Sequence, residues 1–144
     1  MTGSHNRNRV QGSGERDLGL MLAALTVSRR PGEYHLASLG AEDAAGLTLG
    51  SGVEALISEP ESDRDTVTVV ADRDAADRLG LTTAFIAAWL TLDVHSSLEA
   101  VGLTAAVSRT LADGEIACNV LAGFHHDHLL VPIDRVDEAI ECLE

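Results

Sequence analysis

Apolar positions recur along this chain with two periods, and their alternation lays out a set of helices and strands. Leu18, Met21, Leu22 and Leu25 stand at helical spacing, with Asp17 placed to cap the first turn. Arg29-Arg30-Pro31-Gly32 predicts a break, after which Tyr34 to Leu39 predicts a strand carrying Tyr34 and Leu36 on one face. Residues 40–65 are rich in Gly and acidic side chains; a short helix is expected around Val53 to Ile57, and an exposed loop over Glu59 to Asp63. Thr66 to Ala71 is β-branched and reads as a strand. Asp72 then caps a helix that turns Ala75, Ala76 and Leu79 inward and ends at Gly80.

The second half is more regular. Trp89 to His95 alternates, with Leu90, Leu92 and Val94 on one face and Thr91, Asp93 and His95 on the other. Leu103, Val107 and Leu111 form a helical stripe that closes at Asp113-Gly114. A strand is predicted over Ile116 to Ala122, a hairpin over Gly123 to Asp127, and a return strand over His128 to Ile133. Asp134 is placed to cap a last helix with Val136, Ala139, Ile140 and Leu143 inward. Strands alternating with amphipathic helices in both halves predict an α+β architecture with helices on one face of a sheet. Residues 1–16 are polar and are expected to be a flexible leader.

Composition narrows the function classes. With 144 residues and 45% apolar content the chain can bury a proper core. Its net charge is −13, it has no Lys, and its Arg-containing first sixteen residues leave the remainder still more acidic. Such a body repels phosphate backbones and anionic bilayers, so neither nucleic acid nor membrane is expected as a partner. One Trp, one Tyr and two Phe are too few for base-stacking platforms. The longest apolar stretch, Leu81 to Leu92, is too short to span a bilayer, and no secretory signal is visible. Cys118 and Cys142 have no metal-ligand or redox-motif spacing, and a cytoplasmic location is expected.

Candidate chemistry concentrates in the connection Val94 to Leu103. Ser96 and Glu99 have capping-box spacing. Gly102 stands at the entrance of the strongest helical stripe, where a missing Cβ lets a ligand approach the backbone. The free N–H groups of a first helical turn favour a carboxylate or another anion. An ordinary capped helix after a strand explains the same spacing. Asn119 offers both a donor and an acceptor, to a ligand or to the sheet edge. His125-His126-Asp127-His128 invites a metal reading, but neighbours on a strand point to opposite faces, and His35 or His95 would have to converge from elsewhere; no metal is assigned. No G-x-S-x-G turn or Gly-rich phosphate loop occurs, so no catalytic residue and no cofactor are expected.

The run Leu92-Asp-Val-His-Ser-Ser-Leu-Glu-Ala-Val-Gly-Leu-Thr-Ala-Ala-Val-Ser, then Ile116-Ala-Cys-Asn-Val and His126-Asp-His-Leu-Leu-Val-Pro132, resembles ACT-domain proteins. More narrowly it resembles a bacterial tandem-ACT branch related to aspartate-kinase regulatory domains and cytosolic arginine sensors; Pro31-Gly32-Glu33-Tyr34 and Ala75 to Leu81 look like that branch too. The resemblance implies a ferredoxin-like βαββαβ fold in two unequal halves, an abbreviated one over 17–82 and a second over 83–144, with an antiparallel sheet. It also implies a non-enzymatic regulatory protein that binds a small amino acid and pairs as a dimer. The implied ligand residues are His95, Ser96, Ser97, Val101, Gly102 and Leu103, with Asn119 on the next strand. A ligand-free assembly module is the alternative, and a metal-dependent enzyme a more distant one. Two departures stand out. The family pattern has Gly where this chain has Glu115, and the closing strand of the second half is missing, to be supplied by the first half or a partner.

Overall fold

The computed structural model describes residues 17–61, 63–95 and 97–144, so the expected leader and Ser96 lie outside the described residues. Asp17 caps α1 (Leu18–Ala24), its carboxylate accepting from the Leu20 N–H at 3.0 Å. The chain continues as β1 (Val27–Gly40), α2 (Ala41–Ala44), β2 (Val53–Glu59), β3 (Thr66–Asp72), α3 (Arg73–Leu79) and β4 (Phe85–Leu92). Then come α4 (Leu103–Asp113), β5 (Asn119–Ala122), β6 (Asp127–Pro132), a 3-10 turn at Ile133–Arg135 and α5 (Val136–Leu143). The described strands form one sheet in the order β2-β3-β1-β4-β6-β5, antiparallel throughout.

That order contains two overlapping βαββαβ circuits. The first runs β1-α2-β2-β3-α3-β4. The second starts on β4, passes through α4, β5, β6 and α5, and has its fourth strand position, beside β4, filled by β1. The closing strand that the second half lacks therefore comes from the first half. β1 and β4 serve both circuits, which makes their pairing the centre of the molecule.

The faces of the sheet differ. Ala88, Leu90, Leu92, Leu129 and Val131 meet Val107, Leu111, Val136, Ala139 and Met21 in the main core beneath α1, α4 and α5. Val69, Ala71, Val53 and Ala75 continue the same layer beneath α3. The opposite face carries Tyr34, Val70, Ala87, Trp89 and Leu130. Arg30 lies over it, with its guanidinium carbon 4.0 Å from the Trp89 ring centroid and an ion pair to Glu54 at 3.1 Å. Tyr34 donates its hydroxyl to the Pro31 carbonyl at 3.0 Å, and burial pushes its phenol above the usual range.

Several local expectations are corrected. Arg29-Arg30-Pro31-Gly32 does not end a strand: β1 continues through it, with a register shift between Arg30 and Tyr34 that accommodates Pro31 and the positive φ of Gly32. Val53 to Ile57 belongs to an edge strand and not to a helix, because β3 offers it a pairing partner. Leu79 faces outward. β4 runs from Phe85 to Leu92, ahead of the expected span, and only Asn119–Ala122 of the expected Ile116 to Ala122 strand pairs. Asp134 caps nothing; it lies in the 3-10 turn, and α5 starts after Arg135 without a side-chain cap.

Glu115 has φ +56°, a left-handed conformation that Gly would adopt freely. Arg135 holds this corner by donating to the carbonyls of Gly114 at 3.2 Å and Glu115 at 3.5 Å. Glu115→Gly is expected to raise stability by on the order of 1 kcal/mol, since left-handed backbone costs an L-residue about that much. Urea unfolding measures it; an unchanged or lower midpoint means the Glu side chain contributes more than the backbone strain removes.

Candidate functional site

The β4–α4 connection, the β5–β6 hairpin and α1 meet at one end of the sheet. Leaving β4, the Asp93 N–H donates to the Thr26 carbonyl at 2.8 Å, and its carboxylate accepts from the Ser28 hydroxyl at 3.1 Å. Val94 returns to the core. Ser97 organises the next turn: its hydroxyl accepts from the Glu99 N–H at 3.2 Å and its carbonyl from the Ala100 N–H at 2.9 Å. The turn at Ser97 lies within a loop, and the helix waits until Leu103.

Gly102 is the N-cap of α4, with φ +106° and no side-chain capping bond. Its carbonyl accepts from the Ala106 N–H at 2.9 Å, so the N–H groups of Leu103, Thr104 and Ala105 precede the first intrahelical bond. A Cβ built on Gly102 would lie 2.9 Å from Cδ2 of Leu18, which places α1 directly against this glycine. Leu103 is buried in the core and offers the entrance only its backbone, whereas Val101 is 82% exposed and Leu98 66%.

The expected ligand residues are only partly assembled. Ser97, Val101, Gly102 and Leu103 share the α4 entrance. Asn119 is exposed on the far end of β5, opposite Leu130, and thus belongs to the sheet face away from the helices. His95 turns instead to the hairpin, its Nε2 lying 3.3 Å from Nδ1 of His125. The rings of His95 and His126 stack with centroids 6.1 Å apart and 26° between planes, and Phe124 meets His125 edge-on at 4.9 Å. His128 lies apart, against Trp89 and within 3.0 Å of the Thr91 hydroxyl; burial, aided by Arg30 and His126, lowers its pKa. No group of three or more His, Cys, Asp or Glu side chains is disposed to hold a metal ion among the described residues. Sequence named His95 as one of two histidines that would have to converge on the run but did not select it, because it lies thirty residues from His125.

Two shallow clefts occur elsewhere. One, of about 160 Å³, is lined by Leu47, Gly50, Val53 and Arg78; the other, of about 180 Å³, lies between Pro31–Tyr34 and Asp72–Asp74. Cys118 and Cys142 are both free thiols. Among the described residues no helix is long and apolar enough to cross a membrane.

Against known proteins, residues 13–88 and residues 85–144 each match an ACT-domain family. A solved structure from Vibrio cholerae, of a protein of unknown function described as a possible transport protein, is similar to this chain. It has 33% identity and a TM-score of 0.72, and the match covers 91% of this chain and 96% of that one. The regulatory subunit of aspartate kinase from Thermus flavus aligns at 11% identity and TM-score 0.61, over 82% of this chain and 94% of its own. Aspartokinase III from E. coli, in complex with aspartate and ADP, aligns at 15% identity and TM-score 0.54 over 83% of this chain and 32% of its own. Comparison with curated proteins gives no match.

Proposed function

The chain belongs to the ACT-domain family, and on that premise we propose a non-enzymatic regulatory protein that binds a small amino acid at the α4 entrance. We take it as two modules, an abbreviated one over residues 17–82 and a second over 83–144, working in the cytoplasm as a homodimer. The observation that carries the reading is the glycine-entered start of α4, without a side-chain capping bond among the described residues. Three successive N–H donors and the positive end of an eleven-residue helix favour a carboxylate. In a chain of net charge −13 such a locus stands out against its surroundings. An amino acid is the ligand class that membership of the ACT-domain family suggests. Leu18 fills the side where Gly102 lacks a Cβ, so the approach is past exposed Val101 and the Ser97 turn, with His95 at its margin, while Asn119 lies on the opposite face of the sheet. Differential binding to two arrangements of paired modules would then convert ligand concentration into a conformational signal.

The filling of Gly102 by Leu18, with Leu98 and Val101 exposed beside it, favours one rival: a ligand-free module that docks another chain here. A thermal-shift screen of the common amino acids separates the two. A true ligand at about a hundred times its Kd adds roughly 2.7 kcal/mol of stability. Substitution at Gly102 would strain the backbone and press on Leu18, so the informative variant is Val101→Glu. Its added carboxylate is expected to erase the shift while leaving unliganded stability within about 0.5 kcal/mol. A screen without any shift favours the docking module, and a shift that survives Val101→Glu moves the site away from α4.

A further inference from the structure

The geometry points to a binding site for a divalent transition-metal ion, of the zinc, nickel or copper class, held by His95 and His125. We propose it independently of the amino-acid reading. Nε2 of His95 and Nδ1 of His125 are 3.3 Å apart. Two imidazole nitrogens bound to one tetrahedral ion at about 2.0–2.1 Å are separated by roughly 3.3–3.4 Å, so the pair already stands at the edge length of such a site. The distance is long for a hydrogen bond between ring nitrogens. Both rings are exposed and tilted by 55°, so modest rotations can aim both lone pairs at a common point.

His126 supplies the third position. Its ring is stacked on His95 rather than convergent with it, which is why no group of three is formed as the side chains stand. A third imidazole would need a change of rotamer at this hairpin residue, and water fills what remains of the shell. Imidazole donors select borderline ions and discriminate against magnesium and calcium, which demand oxygen ligands. The acidic body raises the local concentration of any divalent cation. Because His95 is on the β4–α4 connection and His125 on the β5–β6 hairpin, the ion would strengthen the contact between these two loops.

The test is calorimetric titration of tag-free, full-length protein with Zn²⁺, Ni²⁺ and Mg²⁺ at neutral pH. One Zn²⁺ or Ni²⁺ per chain, with no Mg²⁺ binding, is expected. His95→Gln and His125→Gln should each weaken binding by at least the roughly 10–100-fold that losing even an outer-shell partner costs. Both side chains are exposed, and circular dichroism verifies that each variant folds. Zn²⁺-induced shifts of the His95 and His125 ring protons in the wild-type protein give a readout that needs no variant. Absence of stoichiometric Zn²⁺ binding, or binding undiminished in the double variant, overturns the site. Repeating the amino-acid screen in chelator-treated buffer keeps the two questions apart.

Discussion

Trp89→Ala is expected to lower stability by about 3–5 kcal/mol, the range for removing a large aromatic side chain from a packed site. Trp89 is 4% exposed although no helix among the described residues covers its face of the sheet. Its cover is made of side chains: Tyr34 edge-on at 5.3 Å, His128 at 5.4 Å and the Arg30 guanidinium above the ring. It lies on β4 opposite Arg30 and Leu130, so its loss loosens the strand that both circuits share. The Arg30 contact adds only about 0.5–1 kcal/mol, so lost apolar burial dominates. Among the described residues the buried indole Nε1–H has no hydrogen-bond partner, an arrangement that itself costs about 1–3 kcal/mol. Trp89→Phe removes that penalty along with part of the ring, and is expected to lose far less than the Ala variant. Urea unfolding followed by far-UV circular dichroism measures both, since the chain's sole tryptophan is the residue replaced. A loss below about 1 kcal/mol for the Ala variant would show that this face is solvated and not packed.

Gly52→Ala is expected to cost about 2–3 kcal/mol by two separable routes. The residue has φ +91°, in a turn where Gly50 and Ser51 also have positive φ, and such backbone costs an L-residue about 1–2 kcal/mol. An added Cβ would lie 2.5 Å from Oδ1 and 2.7 Å from Cγ of Asp72. That carboxylate accepts from the Ala75 N–H at 2.8 Å and caps α3, while the Asp72 N–H donates to the Gly52 carbonyl at 2.8 Å. Displacing the cap costs about 1 kcal/mol more. Asp72→Ala alone should lose the cap, and the double variant should lose less than the sum, because the colliding group is gone. Strict additivity in thermal unfolding would mean that Asp72 moves aside freely and that strain at residue 52 carries the whole effect.

Local signals were legible where one pairing or one helix face decides them. The stripe Leu103, Val107, Leu111 predicts α4 and its inward face, and Asp72 and Gly80 mark both ends of α3. Reading failed where register is interrupted. Glu54 falls at the shift between Val53 and Ala55 of β2, so the apolar residues on either side lose strict alternation and imitate a helix. Pro31 and Gly32 carry turn chemistry, yet they occupy an irregularity inside β1 because β4 resumes pairing at Tyr34. At the candidate site, Gly102 was found from its place before a stripe, whereas its contact with Leu18 was not, because α1 and α4 are far apart in sequence.

The sequence by itself determined the α+β class, the family, the acidic surface and the glycine-entered helix. The family follows from the resemblance of its motifs; the others follow from composition and short-range periodicity, each read without knowing the tertiary contacts. Only the tertiary structure decided that β1 closes both circuits, that Trp89 is buried beneath Arg30 and Tyr34, and that His95 meets His125. Each of those is a pairing across tens of residues, fixed by strand register and by which faces the core has already taken. A local pattern narrows such pairings but does not select among them.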